Sequence, residues 1–555
     1  MAMDDLRRDA WKGGQLLAFS AMDGTTDYEN ALTARTAFCA PGIDIKLPAA
    51  CSVRFPRTVG NDNVVAGDWL RLGDGRMAVR GAFLDTHHLL IEGPCEVVDV
   101  DRAIAFVTRD NRTLIGSASH FDAARITCDM DAALRSRSRW IQTLQLPTGM
   151  SKTTRRTLLK ALSVMKTQVY SPEGRIRHRW TTPDRWPHRQ MWLWDSVFHA
   201  IGWRHVDPEL ARDAISAVLD MQATNGFVAH MMHPRGTSVI TQPPVLTLGA
   251  KLVHNAAPDF SWIEGLYPKL CAYVEWILAN RDHDGAGLVE WEIAGDPHCR
   301  SGESGMDNSP RFDAATRMDA VDFNSFLALE CEILAEFAAS LGLNEDATKW
   351  KSRHAHLCRL IASRLWSEKL AFFVDYDIVR HAPSSVLASS GFLPLICGAA
   401  SAAQAIRLAE HLHDPRTFGT AFPVPSIAAS DIDHYAKDMW RGPVWININW
   451  LIARGFDRFG LADVAANLRG QTLREIEASC EKYGVLFEFF DDRRKLDPPK
   501  LLRKGKCAPE ESPYHQALHD YGWTASLYVD LVYSTKEASQ QTSGSPNTAA
   551  AGDGK

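Results

Sequence analysis

Met439-Trp-Arg-Gly-Pro-Val-Trp-Ile-Asn447 leaves a loop through Gly442-Pro443 and runs on into Ile448-Asn-Trp-Leu-Ile-Ala453, where apolar residues recur at helical spacing. The same text returns along the chain from about residue 150 onward. Loops rich in Gly, Pro, Asp and His alternate with stretches of helical periodicity, roughly a dozen by that criterion. They begin near Thr157, Trp194, Pro208, Pro243, Phe260, Asp319, Asn344, Gly391, Ala402, Pro443, Leu461 and Tyr514. About twelve helices in series, closely joined in pairs, predict six hairpins closed into an (α/α)6 barrel. No repeat of fixed period is visible, which disfavours a solenoid.

Upstream the pattern has period two. Cys51-Ser-Val-Arg-Phe, Arg76-Met-Ala-Val-Arg, Glu96-Val-Val-Asp-Val, Ala105-Phe-Val-Thr and Arg125-Ile-Thr-Cys alternate as half-buried strands do, separated by turns such as Gly73-Asp-Gly and Asp110-Asn. The expected fold is therefore mainly α: an N-terminal β-sandwich-like domain over residues 1–140, then the barrel over 150–535. The tail, 536–555, is poor in apolar residues and is expected to be disordered.

Composition excludes several classes. With 555 residues, 45% hydrophobic and 23% charged, the chain can bury more than one core. The net charge is only -6 and the cations are scattered, so nucleic acid is not an expected partner. No apolar run approaches a membrane span, and no membrane association is expected. Met1-Ala-Met-Asp-Asp-Leu-Arg-Arg puts acids where a signal peptide needs bases, and the apolar patch Leu16 to Met22 is short. The 11 cysteines are an odd number without a Cys-x-x-Cys pair, which suits reduced thiols and a cytoplasmic location. His230 and His233 lack further ligands nearby, so neither metal nor cofactor is expected. The 17 tryptophans exceed what packing needs and hint at aromatic platforms.

Four loop segments place acids, amides and tryptophans where helices begin or end. In Met191-Trp-Leu-Trp-Asp-Ser-Val-Phe-His199, Asp195 or Ser196 could simply cap a helix over core tryptophans. Asn225-Gly-Phe-Val-Ala-His230 and Thr241-Gln-Pro-Pro-Val245 fix an amide before a stiff entry, which is ordinary helix-start chemistry taken alone. Glu303-Ser-Gly-Met-Asp-Asn-Ser-Pro-Arg311 reads first as an Asx-type turn. Glu488, in Leu486-Phe-Glu-Phe-Phe-Asp491, is the exception. A carboxylate among such neighbours is costly to keep charged unless paired, a poor structural choice and a common catalytic one.

These strings carry a resemblance. Trp192-Leu-Trp-Asp195, Gln242-Pro-Pro-Val, Glu303-Ser-Gly-Met-Asp-Asn-Ser-Pro-Arg311, Trp440-Arg-Gly-Pro-Val-Trp-Ile-Asn447, Phe487-Glu488 and Trp523-Thr-Ala-Ser run in order between about residues 155 and 533. Together they resemble glycoside hydrolase family 63 and its bacterial mannosylglycerate and glucosylglycerate hydrolase branch, and more distantly the trehalases. The resemblance implies an inverting α-glycosidase with Asp307 as general acid and Glu488 as general base. It maps sugar-binding positions onto Trp194, Asp195, Gln242, Trp440, Arg441 and Trp445, with His230, Arg311 and Trp523 as further carry-overs. Inversion needs the acid and base on opposite faces of the ring, their carboxyls roughly 6.5–9.5 Å apart. Asp307 must then hold a proton near neutral pH, and Glu303 is the expected neighbour that raises its pKa.

Met439 departs from the family, which often has an aromatic there, and the run after Asp491 is unusually basic. Arg493-Arg-Lys, with Arg311 and Arg441, could receive an acidic leaving group, or the run could be a solvated loop. The expected partner is a small carbohydrate bearing a terminal α-linked glucosyl or mannosyl unit; a homo-oligomer is compatible with the sequence. An (α/α)6 phosphorylase, a trehalase-like disaccharidase and a non-enzymatic sugar-binding protein are the alternatives, and the presence of both carboxylates argues against the first and last. Asp282-His-Asp-Gly-Ala-Gly-Leu288 is too short for an EF-hand and reads as an interhelical turn.

Overall fold

The computed structural model describes residues 13–38, 41–56, 63–73, 78–505, 508 and 515–543. The N-terminal peptide Met1–Arg8, the turn residues Asp74 and Gly75, the strand start Arg76-Met77, the helix start at Tyr514 and the tail from 544 lie outside the described residues.

The N-terminal region forms two antiparallel sheets. Strands β1 (Leu16–Ala18), β2 (Thr33–Thr36), β3 (Gly42–Leu47), β4 (Cys51–Arg54), β5 (Val64–Val65), β6 (Trp69–Leu72), β7 (Val79–Asp85), β8 (His88–Glu92), β9 (Glu96–Val98), β10 (Ile104–Arg109) and β11 (Arg112–Ser117) are ordered β1-β2-β3-β4-β9 and β10-β11-β8-β7-β6-β5. Ile43, Ile45 and Val53 of the first sheet share one core with Leu70, Phe83, Leu89 and Ile91 of the second, so the expected sandwich forms by alternation. Asp110 adopts a φ of 53° and turns β10 directly into β11.

Two readings near the domain boundary are corrected. Arg125-Ile-Thr-Cys is not a strand: Ala123–Thr127 is a short 3-10 helix whose first turn is capped by the Asp122 side chain. Only Ile126 is buried there, against Leu90 and Leu114 on the outer sheet face. Helix α1 (Met130–Thr143) begins inside the region read as β, capped by Asp129 and burying Met130, Arg137, Ser138 and Ile141. Its apolar stripe is interrupted by arginines and serines, which hid its period.

The remaining helices are α2 (Lys152–Thr167), α3 (Leu193–Trp203), α4 (Pro208–Asp220), α5 (Leu246–Ala256), α6 (Phe260–Asn280), α7 (Val321–Ser340), α8 (Asn344–Arg364), α9 (Pro394–Cys397), α10 (Ala402–His413), α11 (Ile446–Arg458), α12 (Ala462–Tyr483) and α13 (Gly522–Ser543). Helix α3 packs on α5, α5 on α7, α7 on α9, α9 on α11, α11 on α13 and α13 back on α3, which closes the inner ring. The remaining even-numbered helices form the outer layer, α10 lying against Phe372–Phe373. Composition sorts the layers: every residue of α3 is buried, whereas α8 buries only Trp350, Leu357 and Ile361. Among the described residues no helix is long and apolar enough to cross a membrane.

Buried charges weld the sandwich to the barrel. Lys166 of α2 bonds Asp68 at 2.6 Å and Asp23 at 2.7 Å, and Lys160 bonds Asp520 at 2.7 Å. Asp520 also accepts the backbone N–H of Leu16 in β1. Arg185 donates to the carbonyls of Phe19 and Thr167 and stacks 3.5 Å over the Tyr170 ring. These contacts fix the segments on either side of the barrel mouth.

Candidate active site

The segments that precede the inner helices α3, α5, α11 and α13 meet at one mouth. Their side chains, with the 301–313 loop and the stretch after Glu488, line a cavity of about 60 Å³. Its walls are His188, Trp192, Trp194, Asp195, Gln242, Gly305, Asp307, Met439, Trp445, Glu488, Arg503, Lys504, Tyr521 and Trp523. A larger cleft of about 550 Å³ between α11, α12 and α13 lies outside the ring and holds none of these residues.

Glu488 sits on an extended segment pinned on both sides. Its backbone N–H donates to the Leu518 carbonyl at 2.9 Å, while Phe490 and Val444 exchange backbone hydrogen bonds. The carboxylate is buried and accepts from Arg503 Nε at 3.0 Å. Asp307 leaves the opposite loop, and its Oδ2 lies 2.5 Å from Lys504 Nζ. Gly305 permits that loop's approach: its φ is +68°, and a Cβ there would lie 2.4 Å from the Trp194 ring.

Aromatic rings form the rest of the wall. Trp445 stacks on Trp440 at 3.8 Å, and Trp523 meets Trp194 and Trp445 edge-on at 5.2 and 5.5 Å. The indole N–H groups of Trp192 and Trp523 are buried without a protein acceptor, donors of the kind a polyhydroxylated ligand satisfies. Asp195 lies in the first turn of α3 rather than capping it, and its Oδ1 accepts from the Tyr521 hydroxyl at 3.3 Å. Burial, with the Glu488 charge adding to it, pushes the Asp195 carboxyl well above its ordinary range. Gln242 accepts the Trp194 backbone N–H.

The cavity therefore gathers Trp194, Asp195, Gln242, Asp307, Trp445, Glu488 and Trp523 of the expected residues, and leaves five behind. Trp440 backs Trp445 as a second layer. His230 bonds Ser238 at 2.5 Å, and burial drives its imidazole down to about 4 against the pull of Asp307. Glu303, the neighbour expected to act on Asp307, does not line the cavity. It is held bidentately by Arg281 at 2.7 and 3.1 Å and accepts the backbone N–H groups of Thr241 and Glu292. Arg311 is buried between Asp322 and Asp375, both at 2.6–2.7 Å, and does not line the cavity. Arg441 is spent on Asp313 and the Asn308 carbonyl. The basic run also points elsewhere: Arg494 pairs with Glu475, and Arg493 lies over Tyr435.

His188, Arg503, Lys504 and Tyr521 join the wall without any signal in the sequence. Asp184 orients His188 through Nδ1 at 3.2 Å, and Nε2 accepts from Arg503 at 3.1 Å. Nothing in Leu501-Leu-Arg-Lys504 separates its cations from those of a solvated loop; only folding places them here.

Away from the cavity, the 282–290 turn gathers acidic side chains. Asp282, Asp284 and Glu290 bring carboxylate oxygens within 4.8 Å of one another, a donor set suited to a hard cation. Both oxygens of Asp319, one of Glu290 and one of Asp282 are buried without a partner. Burial, helped by Asp284, Glu290 and Asp282 and opposed by Arg364, pushes Asp319 up to about 7. A carboxyl raised on folding stabilises the fold while protonated, and that stability is lost as pH climbs from the ordinary 3.8 through 7. In chelator-treated buffer, Asp319→Asn is therefore expected to raise the melting temperature at pH 8 and leave it nearly unchanged at pH 4. An equal shift at both would refute the ionisation account. A second grouping, Asp27 with His87 and His120, is already paired within itself.

Comparison with known proteins fits this geometry. Residues 188–524, well over half the chain, match the family model described as the mannosylglycerate hydrolase MGH1-like glycoside hydrolase domain. The matched segment spans every residue of the cavity wall. The mannosylglycerate hydrolase of Thermus thermophilus is 28% identical over 391 residues, covering 54% of this chain and 89% of the relative. The glucosylglycerate hydrolase of Mycolicibacterium hassiacum is 23% identical over 415 residues, covering 56% and 88%. A crystal structure of the GH63 mannosylglycerate hydrolase from Thermus thermophilus in complex with glucose superposes with a TM-score of 0.54 at 26% identity, covering 67% of this chain and 98% of that one. The chain belongs to the MGH1-like glycoside hydrolase family and is a hydrolase of O-glycosidic bonds.

Proposed function

We propose that the protein is an inverting, exo-acting α-glycosidase that removes one terminal glucosyl or mannosyl unit from a small sugar-acid glycoside of the glycerate type. The observation that carries this reading is the pairing of Asp307 and Glu488 in one tryptophan-walled cavity. Asp307 acts as general acid: its proton passes to the glycosidic oxygen as the bond to the anomeric carbon breaks. Glu488 acts as general base, taking a proton from the water whose oxygen attacks that carbon from the opposite face. Both carboxyls are reset by exchange with solvent.

Trp445, Trp194 and Trp523 stack on the ring and exclude water, while Asp195 and Gln242 take its hydroxyls. A small cavity favours a single terminal unit over a polymer. The glycerate type is supported by the names of the relatives and by the two cations at the cavity wall, since an ammonium and a guanidinium suit a carboxylate. The reading keeps the enzyme in the cytoplasm, consistent with nine described cysteines that are all free.

NMR of the sugar formed in the first turnovers is the test. The β-anomer is expected to appear first and then mutarotate. An initial α-anomer would mean retention and leave Glu488 without this role.

A further inference from the structure

Two consecutive cations hold the two carboxylates. Arg503 bonds Glu488 at 3.0 Å and Lys504 bonds Asp307 at 2.5 Å. They come from a strap that is itself seated: Leu502 donates to the Lys437 carbonyl and accepts from the Met439 N–H. The Lys504 N–H donates to Asp438 at 2.6 Å, and Asp438 also accepts from Asn308, the residue after Asp307. Lys504 adopts a φ of +63°, a left-handed conformation that a long side chain rarely takes without local constraint.

Two consequences follow for a substrate. The 60 Å³ cavity is far below the ~300 Å³ at the low end of ligand pockets, so a sugar ring requires the strap to move. With its Oδ2 held by an ammonium, the Asp307 carboxyl is engaged and cannot serve a leaving-group oxygen. Lys504 stays charged there: burial lowers its pKa most, but the charge and hydrogen bond of Asp307, with Cys299, together more than offset it and the net shift is upward. The other groups facing Asp307 are Arg503, His230 and Cys299; the imidazole is neutral and burial pushes the thiol up to about 11.

We propose that Lys504 is a specificity-determining residue that makes turnover conditional on a negative charge in the leaving group. The ammonium occupies the Asp307 carboxyl in the free enzyme; an anionic aglycone draws it away and frees Asp307 to pass a proton to the leaving oxygen. The discrimination then lies in the chemical step as well as in binding. A neutral glycoside of the same shape can displace the strap but offers the ammonium no new partner, so Lys504 stays with Asp307. This rests on Asp307 being the general acid.

The experiment compares an α-glycosyl glycerate with its glyceramide, which differs only in replacing the carboxylate by an amide. The wild-type enzyme is expected to favour the glycerate by roughly 100-fold in kcat, not only in KM. In Lys504→Met, turnover of the glycerate should fall and that of the glyceramide rise by about 10-fold, so that the two converge. The basic limb of the kcat/KM profile for the glyceramide should also move up by about one pH unit, because Asp307 has lost its counter-charge. A wild-type enzyme that turns over both substrates equally would overturn the proposal, and this arm needs no variant to fold. So would a variant that loses both activities in proportion with the pH limb unmoved, the signature of a merely structural lysine. If instead Asp307→Asn kept its activity, the acid assignment would fall first, and the two failures are told apart.

Discussion

Glu488→Gln and Asp307→Asn are each expected to lower kcat for the natural glycoside by roughly 10²–10⁴-fold, the range that one positioned proton-transfer group supplies. Both amides preserve shape, and Glu488 is held from behind by its backbone bond to Leu518, so the fold should survive. The two variants should differ in a way that assigns the roles. An activated aryl glycoside, whose leaving group departs without a proton, should largely rescue Asp307→Asn and not Glu488→Gln. Steady-state kinetics on both substrates is the check. Either variant keeping more than a few per cent of activity on the natural glycoside would strip that residue of its role, and rescue of the wrong one would exchange them.

The second large effect concerns stability. Arg311 makes four hydrogen bonds to two buried carboxylates, Asp322 and Asp375. Those acids also receive the Trp291 indole and the backbone N–H groups of Phe323 and Val321. Arg311→Met leaves two buried charges without a counter-ion, which is expected to cost about 3–5 kcal/mol in denaturant unfolding. Arg311→Lys should recover little, because a point ammonium cannot grip two carboxylates bidentately. Unchanged stability with a raised KM would instead return Arg311 to the sugar-binding role that its motif suggested.

Arg311 also shows what a linear sequence hides. Its motif marks it as important, yet the reason lies in Asp322 and Asp375, 11 and 64 residues away. Arg441 departs from its expected role for the same cause, with Asp313 as its distant partner. Helix starts are legible where chemistry marks them: Asp207 caps α4, Asp259 caps α6 and Ser401 with Gln404 forms a capping box on α10. The start expected near Pro443 falls short of α11 because Val444 is still paired with Phe490. The carboxylates are legible because an acid among aromatics is expensive, whereas Arg503 and Lys504 lie in charged text with no such cost to betray them.

The grip of Lys160 and β1 on Asp520 bears on how such a chain can be divided. Asp520 lies inside the segment shared with the family, next to the tyrosine that bonds Asp195; its cation, Lys160, and the Leu16 N–H lie before that segment begins. A fragment cut at residue 188 would keep every residue of the cavity wall yet leave a buried carboxylate beside the mouth without its cation. The stretch that inheritance preserves is thus narrower than the body that must be made in one piece, and transplanting this chemistry onto another scaffold means carrying the sandwich along with it.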